Sequence, residues 1–314
     1  MRKMTLMKLH SFGRFSALAG LVVSSALVGS ASAAEPDRYS GRASVYRQLS
    51  PESLEGVSTP ETILKLRAGN VAPTEVWRVL ERGEKVECLE CIPVVEALLW
   101  NGDSRVREIS AWWLRRRIFG VFGKGQVYSR VVSALEDRTQ PEATRAYAAN
   151  ALGEFLTHAG VAPLSAAIRT DPSAKVREAA VRGLERMNSQ GAAGELAVAM
   201  ADADSAVRFA AVDATLRVNG FVDVAAVAGR LSDDSAVVRR RAVQVLGAMR
   251  ASDSVAGLVA LTSPAAEPEA SVRVAAVYAL GQIADPAARA AVEAAQADTD
   301  GFVRDAARVA LRRL

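Results

Sequence analysis

Cys88 and Cys91 are the only cysteines of the chain, and they stand three apart in the string Cys88-Leu89-Glu90-Cys91. That spacing suits three chemistries. A pair of thiols can exchange disulfides, helped where a helix N-terminus lowers one thiol's pKa. Pro93 suggests that a helix begins just after Cys91. In an oxidising compartment the same two residues close as a structural disulfide. A metal site needs further ligands, and no other cysteine is present to supply them. No β-α-β pattern surrounds the pair, so the usual frame of a redox C-x-x-C site is missing. The context favours the staple, with a redox or docking role and metal binding as the alternatives.

Other chemistry is thin. Beyond the leader discussed below, the only histidine is His158. A lone histidine at a helix end lacks the partners a metal site requires. There is no histidine pair for zinc or di-iron, no haem attachment string, and no Gly-x-Ser-x-Gly elbow. The segment GVFGKGQ from Gly120 has the look of a phosphate loop, but it lacks the first glycine spacing and the Ser or Thr after Lys124. It reads as a basic, glycine-rich turn. We therefore expect no cofactor and no catalytic residue.

Arginine supplies the one long series. The pattern V-R-x-x-A-x-x-x-L recurs, with small departures, around Arg107, Arg145, Arg177, Arg208, Arg239, Arg273 and Arg304. Successive arginines are 38, 32, 31, 31, 34 and 31 residues apart. Small or apolar residues stand mostly one before each arginine and three, six and seven after it. That is the stripe of a half-buried helix. An acidic residue usually precedes the motif, as Asp103, Asp171, Asp204, Asp234, Glu269 and Asp300 do, and it reads as a helix-start signal. A second apolar-periodic stretch lies ahead of each motif. One such helix pair cannot bury its own apolar faces, but a stack of pairs can. The fold class expected is all-α, an α-α superhelix of stacked helix pairs.

The string from Asp300 to Leu311, D-x-x-V-R-x-x-A-x-x-x-L, resembles a HEAT repeat in the short bacterial form also found in phycobilin-lyase-type proteins. The segment from Glu269 to Gly281 repeats it with Glu for Asp. This resemblance implies that the seven arginines form a ladder with acidic residues between neighbouring units, so they are framework and not a catalytic row. It also implies that the motif helices line an inner, concave side.

Registering the units on their arginines separates framework from candidate surface. Six residues on stand Trp113, Ala151, Gly183, Ala214, Val245, Ala279 and Ala310, all small except Trp113, which is expected to be buried against the N-terminal cap. The column one residue after the arginine holds Glu108, Phe209, Arg240 and Val274 among others. The column five after it holds Trp112, Arg182 and Tyr278. These two columns are i and i+4 neighbours on one helix face and vary freely. Aromatics and arginines are enriched at protein-binding hot spots. Trp112, Phe209, Arg240, Val274 and Tyr278 are accordingly candidates for partner binding. The competing reading packs Trp112 on Arg116 and makes Tyr278 incidental. The long first spacing marks about seven extra residues near 118–126, where Phe119, Phe122 and Lys124 sit among glycines. Either this loop binds, or it covers the stack.

The ends complete the organisation. Arg2, Lys3, Lys8 and Arg14 precede an apolar run from Ala17 to Val28 and the small residues Ala31-Ser32-Ala33. This reads as a signal peptide at 1–33, cleaved after Ala33. The run is too short to span a bilayer, which takes about 20 residues. The expectation is a periplasmic or secreted protein without a stable membrane anchor. The chain holds 39 basic and 35 acidic residues. Loss of the four leader cations equalises them, so no charge excess argues for nucleic acid. Residues 34–58 are polar and read as partly disordered. Residues 59–91 form a helical cap with stretches 60–69 and 73–83, and 92–314 hold about seven repeats. The expected function is a non-catalytic exported scaffold or adaptor that binds a protein. The alternative is a redox or lyase-like helper using Cys88 and Cys91.

Overall fold

The computed structural model describes residues 56–118 and 125–314. These residues fall in one compact unit, Arg38–Leu314. The segment expected to be a leader, most of the polar segment, and Phe119, Phe122 and Lys124 of the long loop lie outside the described residues.

Among the described residues the chain forms sixteen α-helices. The first two are α1 (Pro60–Leu64), extended by a 3-10 turn through Ala68, and α2 (Pro73–Arg82). Each starts on a proline, whose missing N–H costs nothing in the first turn. Seven helix pairs follow. They are α3 (Cys91–Ala97) with α4 (Ser104–Arg115), and α5 (Gln126–Glu136) with α6 (Glu142–Phe155). Next come α7 (Val161–Thr170) with α8 (Ala174–Met187), and α9 (Ala193–Ala199) with α10 (Ser205–Ala214). The last are α11 (Val224–Ala228) with α12 (Ala236–Ala248), α13 (Val255–Ala260) with α14 (Ala270–Ile283), and α15 (Arg289–Ala294) with α16 (Gly301–Leu311). The motif arginines sit in the even helices from α4 onward.

Even helices pack on even helices in chain order, from α2 to α16. The reason lies in the motif columns. The residues one before the arginine and three, six and seven after it are buried in every pair, apart from the half-buried Thr144 and Leu311. Alanines such as Ala148, Ala180, Ala211, Ala242, Ala276 and Ala307 are fully covered. Small residues let the helix axes approach until backbone meets backbone. A Cβ on Gly153 would stand 2.6 Å from the Cα of Gly183 in the next even helix. A Cβ on Gly281 would stand 2.8 Å from that of Ala310. Trp113 breaks the small-residue rule only where α4 meets α2. It is fully buried there, and its indole Nε1 donates to the Gly83 carbonyl at 2.8 Å. Arg117 lies over its ring at 3.7 Å.

No described helix is long and apolar enough to cross a membrane.

Candidate functional site: the even-helix face and its arginine ladder

Five of the seven motif arginines are two-sided clamps. In Arg273, Nη1 donates to the carbonyls of Glu267 and Pro268, at 3.0 and 2.9 Å, which pins the loop that leads into its own helix. Its Nε and Nη2 grip both oxygens of Asp298 in the next repeat, at 2.8 and 3.0 Å. Arg177 grips Asp202 the same way at 2.6 and 2.8 Å, and Arg239 grips Glu267 at 2.6 and 2.8 Å. Arg145 holds Asp171 at 3.0 and 3.1 Å, and Arg208 holds Asp233 at 2.7 Å on both sides. The bidentate fork is the strongest geometry open to arginine and carboxylate. Five rungs thus tie six successive repeats. The Arg273 hydrogen bond holds the Asp298 carboxyl below its usual range, against desolvation. Burial pushes Asp202 up, but the Arg177 hydrogen bond and charge more than offset it and the net shift is downward.

The acids of the ladder stand six residues before the next arginine, and only Asp171 of the six sequence candidates occupies that place. Asp202, Asp233, Glu267 and Asp298 are the others. Asp103, Asp204 and Asp300 are N-caps instead, accepting from the N–H groups of Arg105, Ala206 and Phe302. Asp234 is exposed and touches Arg208 from outside, while Glu269 precedes α14 without a capping bond. The two acidic positions are separable by chemistry. A carboxylate two residues before the cap is turned inward by accepting the N–H two residues on, as Asp298 does from Asp300 at 2.8 Å. Arg107 and Arg304 clamp their own loops but grip no carboxylate among the described residues.

Cys88 and Cys91 form a disulfide with Cα atoms 5.3 Å apart. Both residues are fully buried, between the end of α2 and the start of α3. Thiol exchange requires an attacking sulfur to reach the disulfide, and this pair offers no surface to one. It closes the turn that leads from α2 into α3.

The columns one and five after the arginine do share one face, and the column nine after it joins them. Among the described residues, that face carries at least two concavities. The first, of about 700 Å³, is lined along α4, α6 and α8 by Arg107, Glu108, Tyr147, Asn150, Glu154, Arg182 and Arg186, with Arg217 at its far side. Arg186 reaches back across α6 to Glu108 at 2.7 Å, two repeats away, and also pairs with Glu154. A contact that skips a helix requires the even helices to curve toward each other locally. Burial raises the Glu154 pKa, and the nearby Arg186 only partly opposes this. The second concavity, of about 600 Å³, lies between α12, α14 and α16. Arg240, Gln244, Val274, Tyr278, Gln282 and Phe302 line it. Tyr278 is 46% exposed and Phe302 75%.

Three of the five helix-borne sequence candidates, Arg240, Val274 and Tyr278, therefore meet in one groove. Trp112 and Phe209 are half-buried against the core and line neither concavity. The cation beside Trp112 is Arg115, at 5.8 Å, because Arg116 turns away to Glu84 at 2.7 Å. Sequence reasoning missed Tyr147, Glu154, Arg186, Arg217 and Phe302. Three of these form the ninth column, which the same register exposes: Glu154, Arg186 and Arg217 are each nine residues after their arginine. No cluster of metal-ligating side chains occurs among the described residues.

Comparison with known proteins bears on the fold. HEAT repeats match residues 161–236 and 224–312. No curated protein matches the chain. Among solved structures, YibA of Escherichia coli aligns at 16% identity and a TM-score of 0.53, covering 89% of this chain and all of that one. A chain in the complex of Kap95p with RanGDP aligns at 16% identity and a TM-score of 0.57, covering 79% of this chain and 38% of that one. The complex of CpcE and CpcF of phycocyanin lyase from Nostoc reaches 21% identity over 71% of this chain and 86% of that one, but its TM-score of 0.38 is too low to carry an argument. The matched repeats run from α7 to α16, and the same ladder continues N-terminally through the Arg145 rung. Residues 161–312 are HEAT repeats, and the described chain is an all-helical HEAT-type solenoid.

Proposed function

We propose that the protein is an exported, non-catalytic scaffold that binds a protein partner through the even-helix face, with the α12–α16 groove as the contact. The observation that carries this reading is the state of the groove's side chains. Tyr278 and Phe302 present large apolar surface beside Arg240, which makes no ion pair among the described residues. Aromatic anchors with an arginine at a concave surface are the usual make-up of a binding hot spot, and stacked-repeat proteins use such surfaces. HEAT repeats commonly serve protein binding, which agrees. Export rests on the leader sequence, with cleavage after Ala33. The burial of both cysteines weighs against a redox role for Cys88 and Cys91.

A photo-crosslinking residue at Gln244 tests this. In intact cells it should give a discrete adduct with a protein of the exported fraction. Tyr278→Ala with Phe302→Ala should abolish the adduct, and Arg217→Ala should leave it. No adduct, or one indifferent to the groove substitutions, removes the groove as the contact. N-terminal sequencing of the exported protein tests cleavage, which should leave Ala34 first.

A further inference from the structure

The ladder has a gap, and the gap opens into the first concavity. Arg107 is seated as the other motif arginines are. Its Nη1 donates to the carbonyls of Asn101 and Gly102 at 2.6 and 2.9 Å. The carboxylate that should meet its remaining N–H groups belongs to Asp137. That residue is eight positions before Arg145, where the other ladder acids stand six before theirs. The two extra residues let it close on its own loop. Asp137 accepts from the Thr139 N–H at 2.9 Å, the Thr139 hydroxyl at 2.6 Å and the Gln140 amide at 3.1 Å. Arg107 is left with Nε and Nη2 unmet among the described residues, and its guanidinium lies over the Tyr147 ring at 3.9 Å. Both residues line the concavity.

The other cations of that lining are neutralised. Arg182 pairs with Asp213 at 2.9 Å and Glu185 at 3.3 Å. Arg186 pairs with Glu108 and Glu154, and Arg217 with Glu185 and Asp213. Arg107 is the one lining arginine without a carboxylate among the described residues. Five rungs of this chain show what the same side chain, anchored the same way, holds through Nε and Nη2.

We propose that this concavity is a carboxylate-binding site, in which Arg107 takes both oxygens of a ligand carboxylate as a ladder arginine takes its acid. Tyr147 keeps the guanidinium plane fixed, so the fork pays little ordering entropy on binding. The exposed amide of Asn150 supplies a further polar contact on the wall. The volume suits a small molecule or one acidic side chain of a peptide. The shared chemistry is the carboxylate. The site is independent of the α12–α16 groove, so either assignment can fail alone.

The test is a titration of the full-length mature protein, ¹⁵N-labelled at arginine, with succinate and with the blocked tripeptide acetyl-Ala-Asp-Ala-amide. Chloride at matched ionic strength serves as the control. The Arg107 Nε–Hε resonance should shift saturably, while Arg145, Arg177, Arg208, Arg239 and Arg273 stay still because their forks are full. Succinate binding tenfold or more tighter than the tripeptide indicates a small-molecule ligand; the reverse indicates an acidic peptide segment. Arg107→Lys keeps the charge and loses the fork, and should weaken the better probe at least tenfold, read at the Tyr147 amide in uniformly ¹⁵N-labelled samples of both proteins. The proposal is overturned if Arg107 shows no saturable shift with either probe, if chloride reproduces the shift, or if the lysine variant binds equally well. The wild-type titration decides even if that variant does not fold.

Discussion

Glu154 and Tyr278 lie on one face of equivalent helices, four repeats apart, and their surroundings could hardly differ more. Glu154 is buried among charges that satisfy one another: Arg186 bridges it to Glu108, and Arg182 and Arg217 share Glu185 and Asp213. Tyr278 stands in an apolar groove with Phe302 and with Arg240, which makes no ion pair among the described residues. A polar network closed on itself gains little from a new partner, because each ion pair must be broken before it can be replaced. An exposed aromatic surface gains by being covered. The N-terminal half of the face therefore holds the repeats together, apart from the open fork of Arg107. The C-terminal half is available. One repeat frame carries both, because the columns one before and three, six and seven after the arginine stay mostly small or apolar while the face columns change.

The comparison breaks first if the floor of the N-terminal half is not a tight helix contact. Gly153→Leu puts a side chain where the Gly183 backbone stands at 2.6 Å. Backbone cannot yield as a side chain can, so the loss should be about 3 kcal/mol or more, seen as a fall in the denaturant midpoint. Tyr278→Ala, by contrast, should change stability by about 0.5 kcal/mol or less. Equal effects would mean that the two halves do not differ as described.

Next comes the ladder, common to both halves. Arg273→Ala leaves Asp298 covered and without its fork. The cost should lie between those of exposed and buried pairs, roughly 2–3 kcal/mol by chemical denaturation. Arg304→Ala, which grips no acid among the described residues, should cost well under half of that. Tyr278→Ala with Phe302→Ala should then weaken partner capture by about tenfold or more, equivalent to ~1.4 kcal/mol, with the melting temperature nearly unchanged.

The smallest effect sharpens the comparison through pH. Asp298 is held below its ordinary value of 3.8 by Arg273, so its contribution is present above that value and is lost as pH falls through the folded-state pKa. Glu154 is raised above 4.5 by burial. Its folded form holds the proton longer than the unfolded chain does, so it costs stability as pH rises from 4.5 through its folded-state pKa. Glu154→Gln should flatten the stability profile in that window. Arg273→Ala should instead reduce the loss seen below pH 3.8. Denaturant midpoints across pH 3 to 7 distinguish the two.

Much of the frame was legible in the residues. The arginine register located every even helix from α4 onward, its buried columns and the burial of Trp113 against α2, because a helix turns by a fixed angle per residue and its core stripe must recur. The acids were harder. Two carboxylates per repeat both look like helix-start signals, and only the loop's path shows that one caps while the other, two residues earlier, turns to the preceding repeat's arginine. The same limit hid the gap at Arg107. The extra residues between Asp137 and Arg145 are visible as a count, but their effect, a carboxylate closed on Thr139 and Gln140, is a property of the folded loop.

By itself the sequence determined the all-helical repeat frame and the register of its seven motif arginines, since local periodicity and one recurring motif suffice for both. The family resemblance implied a ladder of all seven, and the folded chain closes five rungs among the described residues. Only the tertiary structure decided that Arg240, Val274 and Tyr278 meet in one groove without Trp112 and Phe209, and that Glu108 and Arg186 meet across an intervening helix. Those outcomes depend on how far neighbouring helices shift and curve against each other. That is set by the summed packing of many small residues, and no single repeat encodes it.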